Sequence, residues 1–317
     1  MKMGTLNSAW KAFLLFLLFL TGCSPTTPRA FTVKETVISE VPVTVEVTRV
    51  VQVTSEPDVS KAEATIPRTE VRTLLSSVSG RYYRIYIALP LTYSQDSDKT
   101  YPVVYLLDGN MWFGMATEIS RLLYFDREEL PELIIVGIGY DTDDPSEVKE
   151  LRLRDLTPTQ TEAGTGEAEE FLRFIQNDLI PHVNANYRTE PTDCTIVGQS
   201  LAGLFSLYAL FHAPETFNRY VISSPSLWWD DKVAFEYEDE FAGEHSELPV
   251  KLFLSVGELE EQEWPGIGMI SNLQELHKKL EDRNYGGLEM QMVIMEDETH
   301  SSVFPGALTK GLKTVFH

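Results

Sequence analysis

Residues Thr195 to Leu210 read TIVGQSLAGLFSLYAL, an apolar run that stops at Gly198-Gln199-Ser200 and passes at once into a second apolar segment rich in small residues. The pattern predicts strand, sharp turn and helix, with Ser200 on the turn. A serine placed there has its hydroxyl pushed out at the top of a sheet. The N–H of the next residue, Leu201, then sits at a helix N-terminus, where partial positive charge faces any oxyanion that forms. Ser200 is therefore a candidate nucleophile. The match to G-x-S-x-G is imperfect, because Ala202 holds the second glycine position and the glycine follows at Gly203. Smallness is what helix–strand approach requires, and alanine supplies most of it. A bare Gly-x-Ser also fits an ordinary strand-to-helix turn, so the rest of the chain has to decide.

Outward from this stretch, the elements alternate. Strands are predicted at Arg81 to Pro90, Tyr101 to Leu107, Leu133 to Gly139, Tyr220 to Ser223, Val250 to Val256 and Glu289 to Met295. Helices are predicted over Glu167 to Tyr187, where Phe171, Phe174, Ile175 and Leu179 recur at helical spacing, over Ile270 to Leu280, and over Val303 to Phe316. Repeated alternation over roughly 250 residues argues for one α/β domain with a mainly parallel sheet. Residues 70–317 are assigned to it.

The start of the chain reads differently. Lys2 and Lys11 precede the apolar run AFLLFLLFL, which leads to Leu20-Thr21-Gly22-Cys23. The run is shorter than the ~20 residues of a membrane span and has the layout of a secretory signal, assigned to residues 1–22. Leu-Thr-Gly-Cys resembles a bacterial lipobox, with cleavage before Cys23 and lipid on its sulfur; an ordinary signal peptide cut nearby is the alternative. Residues 23–69 contain Ser24-Pro25-Thr26-Thr27-Pro28 and the alternating run VPVTVEVTRVVQVT. They are read as an extended tether holding the domain off a membrane, the alternative being a strand that pairs with the domain or with another chain. The expected location is the extracytoplasmic face of a bacterial envelope.

Charge narrows the partners. The 317 residues carry 26 basic and 48 acidic side chains, a formal −22. Loss of Lys2 and Lys11 with the signal leaves 24 basic against 48 acidic, or −24. Such acidity disfavours nucleic acid and anionic lipid as partners. With Cys23 lipidated, Cys194 is the one cysteine left of two, so no intrachain disulfide can form and the core must hold the fold.

Functional groups in open parallel sheets gather at the carboxyl ends of strands. Three stretches qualify as partners for Ser200. Asp108-Gly109-Asn110 follows YPVVYLL, where a second oxyanion donor is expected; Asn110 N–H is assigned to it beside Leu201 N–H, although Asp-Gly-Asn also makes a plain turn. Glu260 lies three residues past Gly257, room for the chain to turn inward and orient a histidine; Glu258 and Glu261 stay open. Of six histidines, His300 is the one that follows a strand end at a plausible rim. An imidazole there can take the serine proton and return it to a leaving group. The order Ser200, Glu260, His300 is that of α/β hydrolases.

The segments YPVVYLLDGNMWF, FLRFIQNDLIPHVNANYRTEP, IVGQSLAGLFSLYALFHAPETFNRYVISSPSLWW, VGELE and ETHSSVFPGAL occur in order over most of the domain. Through them the chain resembles the esterases that include esterase D-like proteins and siderophore trilactone hydrolases, and more distantly the mycolyltransferases. The resemblance implies an α/β-hydrolase fold, a mainly parallel central sheet with helices on both faces, and no cofactor. It implies Ser200 as nucleophile, His300 as base and the N–H groups of Asn110 and Leu201 as oxyanion hole, with weaker support for Glu260. Departures are Ala202 for the usual glycine and Gln199 where histidine is frequent.

Trp228 and Trp229 can wall an aromatic or acyl site or simply pack. Arg154, with Arg152 nearby, can bind a carboxylate or catecholate oxygen; a pair with Asp155 is the alternative. No metal-ligand spacing stands out. The expected activity is hydrolysis of a carboxylic ester through an acyl-enzyme, with a siderophore lactone or an acylated saccharide as substrate. An acyltransferase using the same intermediate, or a lipoprotein that only binds its ligand, are the alternatives.

Overall fold

The computed structural model of the chain describes residues 31–37, 45–51 and 64–317. Cys23 and the signal segment lie outside the described residues. Two compact units divide the chain, Met1–Ala64 and Thr65–His317. In the first, β1 (Phe31–Val37) pairs antiparallel with β2 (Val45–Val51), from Phe31 opposite Val51 to Val37 opposite Val45. β2 lies within the valine–threonine run, and both strands fall inside the stretch 23–69 read as a tether.

The second unit begins with β3 (Thr69–Leu75), β4 (Tyr82–Ala88) and β5 (Tyr101–Leu106). Then come α1 (Gly109–Arg127), β6 (Ile134–Tyr140) and α2 (Pro145–Leu156). α3 (Ala168–Phe174) and α4 (Ile180–Asn186) flank a π turn at Ile175–Leu179. The predicted helix over Glu167 to Tyr187 is interrupted there because Pro181 has no N–H to continue the ladder, and a π turn absorbs the mismatch. β7 (Thr189–Gln199), α5 (Leu201–His212), β8 (Arg219–Ser223) and α6 (Val233–Glu244) follow. β9 (Lys251–Gly257), α7 (Glu260–Glu263), α8 (Met269–Arg283), β10 (Glu289–Met295) and α9 (Val303–Phe316) complete the chain.

Eight strands form one sheet in the order β10-β9-β8-β7-β5-β6-β4-β3. The six strands from β10 to β6 are parallel, and β4 and β3 are added antiparallel at one edge. Strand residues alternate between two cores, as a period of two requires. Tyr105, Ile196, Ile222 and Leu254 face the helices α2 to α6 and α8. Leu106, Val197, Val221 and Phe253 face α1 and α9. Helices therefore cover both faces, as a mainly parallel sheet demands. This is the α/β-hydrolase architecture expected from the sequence.

β5 leads to β6 on one side while β7 leads to β8 on the other, although β5 and β7 are neighbours. The chain reverses its direction of progress between them, and a crevice opens at their carboxyl ends. Asp108-Gly109-Asn110 follows one strand and Ser200 the other. The pairs Gln199 with Ser223 and Gly257 with Met295 end their strands on the same rim.

Candidate active site

Ser200 sits between β7 and α5 with φ 61° and ψ −121°, a conformation side-chain-bearing residues rarely adopt. Its N–H donates to Ser223 O at 3.0 Å and its C=O accepts from Leu204 and Ser226, which holds the strained turn in place. Close packing of α5 on β7 makes the turn sharp: a Cβ on Gly198 would lie 2.3 Å from Ala202 O. Ala202 itself is fully buried without conflict, so the alanine departure is accommodated and Gly198 is the position that cannot change. Ser200 Oγ faces Ser226 Oγ at 3.4 Å.

His300 is gripped on every polar atom but one. Its Nδ1 lies 2.7 Å from Glu260 Oε2, its N–H donates to Glu263 Oε2 at 2.9 Å, and its C=O accepts from Gln199 Nε2 at 2.6 Å. Trp264 stands edge-to-face on the ring, centroids 4.7 Å apart. The remaining atom, Nε2, is free for proton transfer, the tautomer following from the carboxylate on Nδ1. One short helix, α7, and the residue after it thus supply three of the four contacts. Gln199 thus ties the residue before Ser200 to the histidine loop.

Glu260 is fully buried. Its second oxygen, Oε1, accepts from Gly257 N–H at 2.7 Å and from Ser224 Oγ at 2.5 Å. A buried carboxylate needs such donors to be tolerable. Glu258 instead accepts from Asp297 N–H and Glu261 from Ile270 N–H and Ser271 at the start of α8. Of the three glutamates left open by the sequence, Glu260 is the one against the imidazole.

The two expected oxyanion donors both lie in first turns of helices, Leu201 in α5 and Asn110 in α1, where N–H groups have no intrahelical acceptor. The Asn110 side chain is fixed to the end of β6: Oδ1 accepts from Tyr140 N–H at 2.7 Å, and Nδ2 donates to Tyr140 O and Thr142 O. Gly109 permits this approach, since a Cβ there would lie 2.8 Å from Gly137 C. The Arg152 fork holds Asp108, Nε to Oδ1 at 2.5 Å and Nη2 to Oδ2 at 2.8 Å.

Arg154 forms a fork on the buried Asp155 at 2.6 and 2.9 Å, with Tyr83 OH completing that carboxylate at 3.0 Å. The guanidinium is thus engaged in the pair with Asp155, the alternative that the sequence left open. Trp229 is buried and donates to Thr159 Oγ1 at 2.9 Å, a packing position, whereas Trp228 stays 40% exposed two residues past Ser226. Ser224, Ser226, Glu263 and Trp264 escaped the sequence reading. Their roles depend on strand ends meeting in space, although the PSLWW stretch pointed to the loop that carries two of them.

A parallel sheet with its strained serine elbow at the switch point, and a histidine–glutamate pair on the same rim, defines an α/β hydrolase. The family model described as "Putative esterase" matches residues 76–289, and the chain belongs to that esterase family. The ferri-bacillibactin esterase BesA of Bacillus subtilis is 33% identical over 269 residues, 80% of this chain and 91% of its own. A siderophore triacetylfusarinine C esterase of Aspergillus fumigatus is 34% identical over 170 residues, 52% of this chain and 58% of its own. Among solved structures, the BES protein from Bacillus cereus superposes with a TM-score of 0.73 at 31% identity, covering 83% of this chain and all of that one. The siderophore hydrolase EstB from Aspergillus nidulans gives 0.72 at 27% identity, covering 81% and 98%. The chain is a carboxylic ester hydrolase. BesA, the triacetylfusarinine C esterase and EstB are hydrolases by name, and neither acyl transfer nor ligand binding without turnover gains support from them.

Proposed function

We propose that Ser200, His300 and Glu260 are the catalytic triad and that the substrate is the lactone of a siderophore. The observation that carries the triad is the 2.7 Å contact of Glu260 with His300 Nδ1, which leaves Nε2 free on the rim where Ser200 stands. Ser200 Oγ turns from Ser226 to Nε2 and attacks the ester carbonyl as His300 takes its proton. The oxyanion is held by the N–H groups of Leu201 and Asn110. The carbonyl then re-forms, the ester C–O bond breaks, and His300 returns the proton to the leaving alkoxide. Water, deprotonated by the same nitrogen, hydrolyses the acyl-enzyme.

The names of the relatives support the siderophore assignment, and Trp228 offers an exposed aromatic face beside the site for a catecholate ring. The test is turnover of a ferric tricatecholate trilactone against acetylated and feruloylated sugars and short aryl esters, with fluorophosphonate labelling of wild type, Ser200→Ala and His300→Ala. Labelling in the wild type alone, with the lactone turned over best, is the expected result. A folded wild type that takes no label refutes the triad, and a lactone no better than the sugars refutes the substrate. Lipid attachment at Cys23 is part of the same proposal, supported by Leu-Thr-Gly-Cys after a short apolar run. Metabolic palmitate labelling that persists in Cys23→Ser removes it.

A further inference from the structure

We infer that Arg152 is a positioning residue for ester cleavage, keeping the Asp108 carboxylate out of the oxyanion hole. Asp108 occupies the N-cap of α1, where an aspartate ordinarily accepts hydrogen bonds from the first-turn N–H groups. Here it makes no such bond. Its backbone is left-handed, φ 55° and ψ 41°, and its side chain, 3% exposed, is turned to the Arg152 fork. The only work its cap position does for the helix is through its C=O, which accepts from Met111 and Trp112.

Two consequences follow from this inverted cap. The N–H of Asn110, pinned by its own amide on β6, is left without a side-chain acceptor and so stays open to a substrate oxyanion. A carboxylate two residues away is neutralised by a two-point ion pair and cannot swing onto that donor. A left-handed aspartate is strained, and the fork from α2 is what offsets the strain. Without Arg152, Asp108 is a buried anion beside a helix N-terminus, and the nearest way to satisfy it is to cap α1. That movement would fill the hole with negative charge where the transition state needs to place its own.

The inference rests on the reading of Asn110 and Ser200 above. Its test uses the full chain as wild type, Arg152→Gln, Arg152→Lys, and Arg152→Gln combined with Asp108→Asn. The readouts are p-nitrophenyl butyrate hydrolysis and phenylboronate inhibition, which reports affinity for a tetrahedral oxyanion. Arg152→Gln should lose about 10²-fold in kcat, the scale of one oxyanion donor, with KM nearly unchanged and phenylboronate weakened in parallel. Arg152→Lys, a point charge without the fork, should fall between. Removing the competing charge in the double variant should recover at least tenfold. Full kcat in Arg152→Lys and Arg152→Gln overturns the inference, as does a double variant no more active than the single, or an Arg152→Gln chain that does not fold, since the pair would then serve stability alone. Fluorophosphonate labelling of the wild type separates the two levels: a labelled wild type with insensitive Arg152 variants sinks this inference, and an unlabelled one sinks the triad.

Discussion

Glu260 Oε2 lies 2.7 Å from His300 Nδ1, and the glutamate's other oxygen is held by Gly257 N–H and Ser224 Oγ. The carboxylate is fixed from both ends before it meets the imidazole. In the proposed triad it selects the tautomer and orientation of His300 and stabilises the imidazolium formed when Ser200 loses its proton. Glu260→Gln should leave the fold intact and lower kcat by about 10²- to 10⁴-fold, the range over which orientation and tautomer matter in such triads. Steady-state hydrolysis of p-nitrophenyl butyrate measures it, and a loss below tenfold would show that this enzyme works as a serine–histidine dyad.

Ser224 stands one step further out. It is fully buried, has φ 46°, and donates to Glu260 Oε1 at 2.5 Å. Ser224→Ala removes one of the two donors to Oε1 of a buried carboxylate, so stability should fall by about 1.5–3 kcal/mol. The activity loss should appear in kcat with KM held. Urea denaturation with steady-state kinetics on the same preparation tests both, and unchanged kcat would confine Ser224 to stability.

Arg154 separates stability from recognition. Its partner Asp155 is 1% exposed and the arginine 18%, so breaking the pair leaves a buried carboxylate with Tyr83 and the more distant Arg81. Arg154→Met should cost roughly 3–5 kcal/mol and leave KM for a ferric tricatecholate lactone within about twofold. Thermal unfolding and lactone KM, measured together, check this. A raised KM in a stable variant would return Arg154 to the substrate.

Cys194 lies in β7 with its side chain in the core, and burial pushes its thiol up to about 11, with Asp193 adding to the effect. The native thiol should resist iodoacetamide at pH 8 and react on unfolding. The raised folded value also sets a sign. Its contribution is fully present below the unfolded-state pKa near 9 and is lost as pH rises towards about 11, because only the unfolded chain releases the proton in that window. The loss is on the order of 2–3 kcal/mol. Cys194→Ala should flatten the alkaline limb of a stability–pH curve from urea midpoints; an identical limb would place the alkaline titration elsewhere, in buried tyrosines such as Tyr220, whose hydroxyl burial also raises.

Local sequence decided the elements whose burial pattern is periodic. Strands buried on both faces, such as Ile134–Tyr140, read as continuous apolar runs, and the nucleophile elbow is a contiguous string in which each residue's size has a local reason. α1, α2 and α6 were not predicted because they bury few apolar residues. For α2 the Asp144-Pro145 start, with Asp144 accepting from Ser146 and Glu147 N–H, was the signal to use. β3 lay across the expected domain boundary, since an exposed edge strand has little apolar pattern to show.

The sequence by itself determined the sheet, the helix that follows Ser200 and the order in which serine, glutamate and histidine arrive, because these follow from periodicity and from what a turn can hold. Tertiary structure alone decided which glutamate faces His300, which arginine holds Asp108 and which tryptophan stays open. Those choices join residues such as Asp108 and Arg152, or Ser224 and Glu260, that lie 44 and 36 positions apart. Their meeting is fixed by strand order and register in the folded sheet, and no pattern within either segment carries it.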